Sequence, residues 1–339
     1  MNAHVSPSLL SQPLHDGFGR RISYVRLSVT DRCDLRCTYC MSEHPSFLPR
    51  RDLLSFDEME RLALFLVASG VERLRITGGE PLVRKGVEDF LVGLGEKGRA
   101  LGLKELTLTT NGTLLENAVP ALVAAGIRRI NVSCDSLRPD VYRRITRGGN
   151  LDTVLAGIAA AQGARLGVKL NVVALQADNR GEIPEIIAFA HARGMDVSLI
   201  ETMPLGEDIA REAQFVSLAE VLDDLKSFWT LAPAALTTSG PARYYDIAET
   251  GGRLGLITPL SHNFCDTCNR VRVTCTGRMY MCLGQDDYVD FRPALATGDD
   301  AALAGVLAQA LRRKPKAHDF AIGEGHGHRP SRSMALTGG

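Results

Sequence analysis

The sequence predicts an α/β fold in which six βα units form a parallel sheet and a smaller, mainly antiparallel β segment follows. Apolar, β-rich runs alternate with helical patterns between residues 22 and 201, which is typical of consecutive βα units. After about residue 230 the pattern changes to short runs separated by Gly and Pro. The length of 339 residues and the apolar fraction of 45% allow a large buried core.

Six runs are rich in apolar and β-branched residues, and we predict strands at 22–30, 73–77, 105–110, 129–133, 168–174 and 196–201. Helical patterns separate these strands, at 56–69, 87–97, 117–125, 151–162 and 183–193. Ser55, with Glu58 three residues later, predicts a capping box at the start of the first helix. Periodicity alone does not decide between an open doubly wound sheet and a partial barrel, but both place ligands at the carboxyl ends of the strands.

The C-terminal segment has short candidate strands at 242–247, 253–257, 271–275 and 278–283. We therefore expect residues 20–230 to form the α/β domain and residues 231–325 to form the smaller β domain. Residues 1–19 are expected to be an N-terminal extension. Residues 326–339, which include His326 and His328, are expected to be a loop or tail that ends in Gly-Gly.

The composition excludes two classes of partner. Lys and Arg number 39, as do Asp and Glu, so the chain has no global positive field for nucleic acid, and a few placed residues must bind any anionic ligand. The apolar runs are much shorter than the roughly 20 residues of a membrane span, and no secretory signal pattern is present. We expect a cytoplasmic protein that binds neither membranes nor nucleic acid.

Three of the eight cysteines, Cys33, Cys37 and Cys40, directly follow the first predicted strand. Clustered cysteines in a chain of this kind are more often metal ligands than disulfide partners. Three thiolates on a cubane leave one of its four irons open to another ligand, which is a catalytic arrangement. The alternative is a zinc site with His44 as the fourth ligand.

A second group of three cysteines lies in the C-terminal segment, at Cys265, Cys268 and Cys282. It can likewise ligate three irons of a cubane, or, with Cys275 or His262, a structural zinc ion. Arg270 and Arg272 follow Cys268, and strand alternation places both side chains on one face, where guanidinium groups can grip phosphate oxygens. Cys275 has the opposite strand parity, so we do not assign it to the metal.

Further polar or Gly-rich segments fall at the ends of the predicted strands. Thr77-Gly78-Gly79-Glu80-Pro81 follows the second strand, and Thr110-Asn111-Gly112 follows the third. Ser133 ends the fourth strand, and Met203 follows the sixth. Each feature alone has an ordinary explanation as a turn, a strand cap or core filling. Together they favour one ligand site at the carboxyl edge of the sheet.

On the spacing Cys33-x3-Cys37-x2-Cys40 and the Gly78-Gly79-Glu80-Pro81 segment, the chain resembles the radical S-adenosylmethionine (SAM) superfamily. Within it the chain is similar to the GTP 3′,8-cyclases of molybdenum cofactor biosynthesis, which add the second cysteine group and a closing Gly-Gly. This resemblance implies a partial (β/α)6 TIM-type barrel with a small, mainly antiparallel β C-terminal domain. It also implies two [4Fe-4S] clusters and SAM as cofactors of a radical SAM lyase.

The implied reaction converts GTP into (8S)-3′,8-cyclo-7,8-dihydroguanosine 5′-triphosphate, while SAM is cleaved to methionine and 5′-deoxyadenosine. A SAM-derived radical would carry the chemistry, so no side chain is expected to be catalytic. The implied SAM contacts are Tyr39, Gly79, Ser133 and Met203. The implied GTP contacts are Arg26, Arg75, Thr109, Lys169, Arg270 and Arg272.

The resemblance implies an electron donor and, downstream, the cyclic pyranopterin monophosphate synthase as partners, with a homodimer as one option. It also implies that the final glycines reach the active site, whereas a frayed end is the ordinary fate of such a terminus. Two other functions stay open. A radical maturase that acts on a peptide is expected to have more cysteines and needs no Arg-x-Arg; a two-cluster electron carrier leaves the Gly-Gly-Glu-Pro turn unexplained.

Overall fold

The computed structural model describes residues 13–203, 205, 213–236, 238, 240–318, 320, 330 and 332–338. Six strands of the first part are β1 Tyr24–Ser28, β2 Arg73–Thr77, β3 Glu105–Thr110, β4 Arg129–Ser133, β5 Gly167–Ala174 and β6 Asp196–Glu201. The helices among them are α1 Phe56–Ala68, α2 Val87–Ala100, α3 Leu115–Ala124, α4 Pro139–Thr146, α5 Leu151–Gly163 and α6 Ile183–His191. The predicted order of βα units is confirmed.

The second part begins with α7 Leu218–Leu225. Its strands are β7 Leu231–Pro233, β8 Arg243–Ile247, β9 Arg253–Ile257, β10 Arg270–Val273, β11 Arg278–Tyr280 and β12 Tyr288–Asp290. Three helices follow, namely α8 Arg292–Thr297, α9 Asp300–Arg313 and α10 Met334–Thr337. Short 3-10 turns occur at Arg50–Asp52, Pro81–Val83, Arg180–Glu182 and Cys265–Thr267.

The described strands form one 12-stranded sheet in the order β12-β11-β10-β1-β2-β3-β4-β5-β6-β9-β8-β7. β1 to β6 are parallel neighbours, and β10 pairs in parallel with β1 while β9 pairs in parallel with β6. The outer pairs β10–β11–β12 and β7–β8–β9 are antiparallel. The mainly antiparallel C-terminal segment therefore extends both edges of the barrel sheet instead of forming a sheet of its own. The domain limits near residues 230 and 325 stay predictions.

The helices cover one side of the sheet, and the other side faces an interior space. In β5, Val168, Leu170 and Val172 are buried in the apolar core, whereas the alternating Lys169 and Asn171 line interior cavities. This alternation follows from the two-residue period of a strand, and it leaves polar side chains free to meet a ligand. The described residues include no helix long and apolar enough to cross a membrane.

Local sequence explains the helix starts and the differences from prediction. The predicted capping box is present, because Ser55 Oγ accepts from the Glu58 backbone N–H and the Glu58 carboxylate accepts from the Ser55 N–H. Five helices, α4, α7, α8, α9 and α10, are absent from the sequence-based prediction. In α9, the Asp299 side chain caps the first turn, and Leu303 and Leu307 are buried in the core. These are ordinary sequence signals for a helix, but the neighbouring segments are rich in turn residues, and the prediction therefore missed it.

Candidate active site between two cysteine groups

The interior of the sheet holds three adjoining cavities. The first, of about 1010 Å³, is lined by the first cysteine group and by the ends of the parallel strands. The second, of about 800 Å³, is lined by Cys265, Cys268 and Cys282. The third, of about 560 Å³, is lined by cationic side chains. Ile200 lines all three, and Met203 lines the first two, so the cavities adjoin one another.

The first cysteine group lies in a loop that packs on the C-terminal end of α4. The Arg36 N–H donates to the Thr146 carbonyl at 3.1 Å, and the Thr38 N–H donates to the Ile145 carbonyl at 2.9 Å. The Leu35 N–H points at Cys33 Sγ at 3.4 Å, a donor suited to a metal-bound thiolate. Burial raises the pKa of the Cys33 thiol to about 12, and a coordinated metal ion would reverse that effect.

Gly78 and Gly79 allow the loop after β2 to lie directly against the cysteine loop. A Cβ on Gly78 would lie 2.6 Å from the Thr30 carbonyl oxygen, and one on Gly79 would lie 2.7 Å from the Asp31 carbonyl oxygen. The Gly79 N–H donates to the Thr30 carbonyl at 2.8 Å. Any side chain at these positions would push the two loops apart.

Glu80 belongs to the Gly78-Gly79-Glu80-Pro81 segment, but it is not among the residues predicted to contact a ligand. Its carboxylate is fully buried and accepts from the Thr110 hydroxyl at 2.8 Å, the Asn111 N–H at 2.6 Å and the Leu82 N–H at 3.0 Å. It therefore joins the ends of β2 and β3 at the rim of the first cavity. Burial raises the pKa of Glu80 to about 7 despite these donors.

Asp135 plays the same role between β4 and β5. Its carboxylate accepts from the Tyr39 hydroxyl at 2.8 Å and from the Val173 N–H at 2.8 Å. Burial raises the pKa of Asp135 to about 6. The position directly after Ser133 and Cys134 was a signal, since polar residues at strand ends of such sheets tend to serve the site.

The raised pKa of Asp135 makes a pH-dependent prediction for the cluster-free protein. Because the folded pKa of about 6 lies above the ordinary value of 3.8, the folded state binds the proton more tightly, and this advantage is lost as pH rises through 6. Relative to Asp135→Asn, the wild-type free energy of unfolding should rise by about 1.4 kcal/mol between pH 8 and pH 5. Urea denaturation of both proteins measures it; a pH-independent difference would contradict the raised pKa.

The second cysteine group is built from a 3-10 turn and the end of β11. The Cys268 N–H donates to the Cys265 carbonyl at 3.1 Å in that turn, and Cys282 follows β11. Arg270 and Arg272 of β10 are buried and line the same cavity, as the strand alternation predicts. Burial raises the pKa of Cys268, but the charges of Lys314 and Arg270 outweigh it and lower the pKa overall.

The two residues considered as extra zinc ligands of the second cysteine group lie elsewhere. Cys275 is fully buried in the apolar core, and His262 lines a separate cavity. Within the described ranges, no three His, Cys, Asp or Glu side chains are close enough to hold one metal ion. A cubane instead takes each thiolate on a different iron, so the three thiols that line each cavity suit it by number and by chemistry.

A row of arginines extends from the third cavity to the second. Arg75 of β2, Arg26 of β1 and Arg272 of β10 are register partners on three adjacent strands. Lys169 and Arg129 line the same cavity as Arg26 and Arg75, and its carboxylate, Glu105, is paired with Arg129. Like charges side by side on a sheet are unfavourable unless an anion lies between them.

The cations of this cavity have unused donors. Among the described residues, the buried Nε atoms of Arg26 and Arg75 have no hydrogen-bond partner, and the same holds for Arg270 of the second cavity. Burial lowers the pKa of Arg26 and Arg75, and burial together with the charges of Arg75 and Arg129 lowers that of Lys169 to about 8. Such a set of desolvated, unpaired cations fits a polyanion.

The residues predicted to contact SAM and GTP line different cavities. Tyr39, Gly79, Ser133 and Met203 all line the first cavity. Of the predicted GTP contacts, Arg26, Arg75 and Lys169 line the third cavity and Arg270 and Arg272 the second. Thr109 lies instead on the first cavity, where its hydroxyl has no partner among the described residues.

The described part of the tail lies between the cysteine groups. Arg272 Nη1 donates to the Thr337 carbonyl at 3.4 Å and to the Gly338 carbonyl. Met334 and Ala335 line the first cavity, and Arg332 donates to the Cys282 carbonyl at 3.2 Å. His326, His328 and Gly339 lie outside the described residues, as do residues 1–12 of the predicted extension.

Comparison with known proteins gives consistent matches along the chain. Residues 27–190 match the Radical SAM superfamily, and residues 195–320 match Molybdenum Cofactor Synthesis C. The chain is 56% identical over 331 residues to the GTP 3′,8-cyclase of Rhizobium meliloti, covering 96% of this chain and 95% of that protein. It is 54% identical over 336 residues to the GTP 3′,8-cyclase of Caulobacter vibrioides, covering 98% and 96%.

Solved structures share the fold at low sequence identity. Streptococcus suis SuiB superposes with a TM-score of 0.60 at 14% identity, over 85% of this chain and 68% of that chain. AdoMet-bound anSMEcpe gives a TM-score of 0.51 at 17% identity, over 61% and 57%. Together with the sheet topology, these likenesses confirm the predicted α/β class with a partial barrel.

Proposed function

The chain belongs to the GTP 3′,8-cyclase family, and we propose that it converts GTP into (8S)-3′,8-cyclo-7,8-dihydroguanosine 5′-triphosphate with SAM and two [4Fe-4S] clusters. The observation that carries this proposal is that the three cavities adjoin one another around Ile200, which lines all of them. Both cysteine groups and the arginine row therefore face neighbouring spaces, where one substrate would lie beside all of them. This is the first step of molybdenum cofactor biosynthesis.

The first cavity would hold one cluster and SAM. Cys33, Cys37 and Cys40 would bind three irons, and the open iron would take the methionine part of SAM. When bound, this cluster supplies the electron that cleaves SAM. The protein fixes the geometry, since Asp135 holds the Tyr39 ring through its hydroxyl and Glu80 locks the Gly78-Gly79 loop.

The second cavity would hold the other cluster on Cys265, Cys268 and Cys282, with its open iron as a ligand site for the purine. Arg26 lines both this cavity and the third, so a nucleotide with its base at the second cluster can place its phosphates among the arginines. Arg26, Arg75 and Lys169 would then bind the triphosphate. Arg270 and Arg272 would contact GTP beside the cluster.

The proposed function also implies partner proteins and a cellular location. The cyclised product would pass to a cyclic pyranopterin monophosphate synthase, and a separate electron donor would reduce the first cluster. A cytoplasmic location and a homodimeric state are consistent with this role. The relatives that match nearly the whole chain are cyclases, which favours this function over a peptide maturase or an electron carrier.

One anaerobic experiment tests the function. The reconstituted enzyme receives SAM, a reductant and GTP, and 5′-deoxyadenosine is measured together with the GTP-derived product. We expect GTP to raise 5′-deoxyadenosine release and to yield the cyclised nucleotide in equal amount. If GTP adds no 5′-deoxyadenosine above the background without substrate, the cyclase function is wrong.

We expect Arg75 of the arginine row to lower the stability of the nucleotide-free protein and to strengthen GTP binding. Replacing buried Arg75 by Met removes an unpaired desolvated cation, so the free energy of unfolding of the nucleotide-free protein should rise by about 1–3 kcal/mol. Loss of its charge-assisted contact should weaken GTP binding roughly 10- to 100-fold. Urea denaturation and calorimetric titration measure these effects. The exposed Arg128→Met variant is the control and should change neither quantity; a destabilised Arg75→Met protein with normal GTP affinity would contradict the proposal.

A further inference from the structure

Lys314 is a buried lysine beside the second cysteine group. It follows α9 and is 3% exposed, which is unusual for this residue type. Its Nζ donates to the Met281 carbonyl at 2.7 Å and to the Arg270 carbonyl at 3.0 Å, and it lies 3.5 Å from Cys268 Sγ. These acceptors belong to the backbone on either side of the site, since Met281 precedes Cys282.

Within the described part of the chain, Lys314 has no carboxylate partner: no Asp or Glu there forms an ion pair with it, and its other two acceptors are neutral carbonyls. A buried ammonium is costly unless an anion compensates it. The nearest group that becomes anionic when it binds iron is the Cys268 thiolate.

The segment that carries Lys314 is also linked through Arg20 to Cys265, the remaining cysteine of the group. Arg20 donates to the Cys265 carbonyl at 2.7 Å and to the Pro315 and Lys316 carbonyls at 2.5 Å and 2.7 Å. Arg20 is itself held by Asp16 at 2.6 Å. All three cysteine regions are therefore linked to this segment. Lys314 contacts the Cys268 sulfur and the backbone next to Cys282, and Arg20 links Cys265 to the two residues that follow Lys314.

We propose that Lys314 is a positioning residue for the second cluster: its ammonium donates a charge-assisted hydrogen bond to the Cys268 ligand and stabilises the reduced cluster. This inference rests on the proposed second cluster. Reduction adds negative charge, and hydrogen bonds to the ligand sulfurs are among the factors that set the potential of iron-sulfur clusters. A fixed positive charge at this sulfur therefore makes the cluster easier to reduce.

The alternative is that Lys314 only holds two carbonyls and has no effect on the cluster. Three variants separate these roles in the reconstituted full-length enzyme. Lys314→Met removes the charge and the donors, Lys314→Gln removes the charge and keeps a donor, and Lys314→Arg keeps the charge. Lys316→Met is the matched control, because Lys316 is exposed two residues away.

The measurements are iron and sulfide content and a redox titration followed by electron paramagnetic resonance. The signal that changes when SAM is added belongs to the first cluster and serves as the internal reference. We expect Lys314→Met and Lys314→Gln to shift the second cluster to a more negative potential, with the first unchanged. Lys314→Arg should restore most of the shift, and Lys316→Met should match the wild type.

Each other outcome also decides the question. If Lys314→Met and Lys314→Gln lose the second cluster while Lys314→Arg retains it, the positioning role is supported by iron content alone. If the neutral variants keep both clusters at wild-type potentials, or if Lys314→Arg fails with them, the inference is overturned. A wild-type enzyme that binds only one cluster would overturn both the second cluster and this inference, so the two failures are distinguishable.

Discussion

Replacing Cys282 by alanine should leave SAM cleavage by the first cluster intact while the GTP-derived product falls by at least roughly 10³-fold. The first cysteine group lies in a loop after β1 and makes its contacts with α4 and with the loops after β2 and β3. Cys282 contributes to none of these contacts. Removing one of three ligands should abolish the second cluster, and GTP then loses the group that would orient its base.

The measurement compares iron content, reductant-dependent 5′-deoxyadenosine and the cyclised nucleotide in the reconstituted variant. Iron should fall by about half, which is the loss of one of two four-iron clusters. Cys275→Ala is the matched control, because that thiol is fully buried in the apolar core and lines neither of the two cysteine-lined cavities. It should keep all iron and full product formation. Undiminished product from Cys282→Ala would remove the second cluster from the mechanism.

The parts of the site that the sequence predicts are those with local signatures. The cysteine spacings, the Gly-Gly turn and the strand-end positions are read within a few residues, and the structure brings them to one interior. Arg270 and Arg272 could be given a common face because strand alternation is a local rule. Lys169 of β5 was predicted only through the family resemblance, and the structure places it on the third cavity.

The residues that the sequence alone did not reveal act through distant partners. Asp135 meets Tyr39 across 96 residues, and Lys314 meets Cys268 across 46. No local period records such pairs: the strand-end position of Asp135 indicates a place near the site but not its partner, and Lys314 looks like an ordinary surface charge in its own segment. The pairing of β10 with β1 is of the same kind, and it explains why a segment predicted as a small separate domain continues the barrel sheet.

The docked tail makes the last prediction, which concerns Gly338. Its φ is 73°, and a Cβ would lie 2.6 Å from Thr77 Cβ and even closer to Thr77 Oγ1. Alanine is strained in this left-handed conformation and cannot tolerate the contact with β2. Gly338→Ala should therefore release the tail from Arg272 and remove Met334 from the first cavity. Because misplacement of about 1 Å costs about 10²-fold in rate, product formation should fall about 10²-fold.

The variant should keep both clusters, since no cysteine lies in the tail, and its thermal midpoint should stay close to that of the wild type. Gly305→Ala is the matched control, because Gly305 lies in α9 with open space where the alanine methyl group would lie, and alanine favours a helix. Product formation by the control should equal that of the wild type. If Gly338→Ala is equally active, contact between the tail and Arg272 has no part in turnover, and the arginine would serve GTP alone.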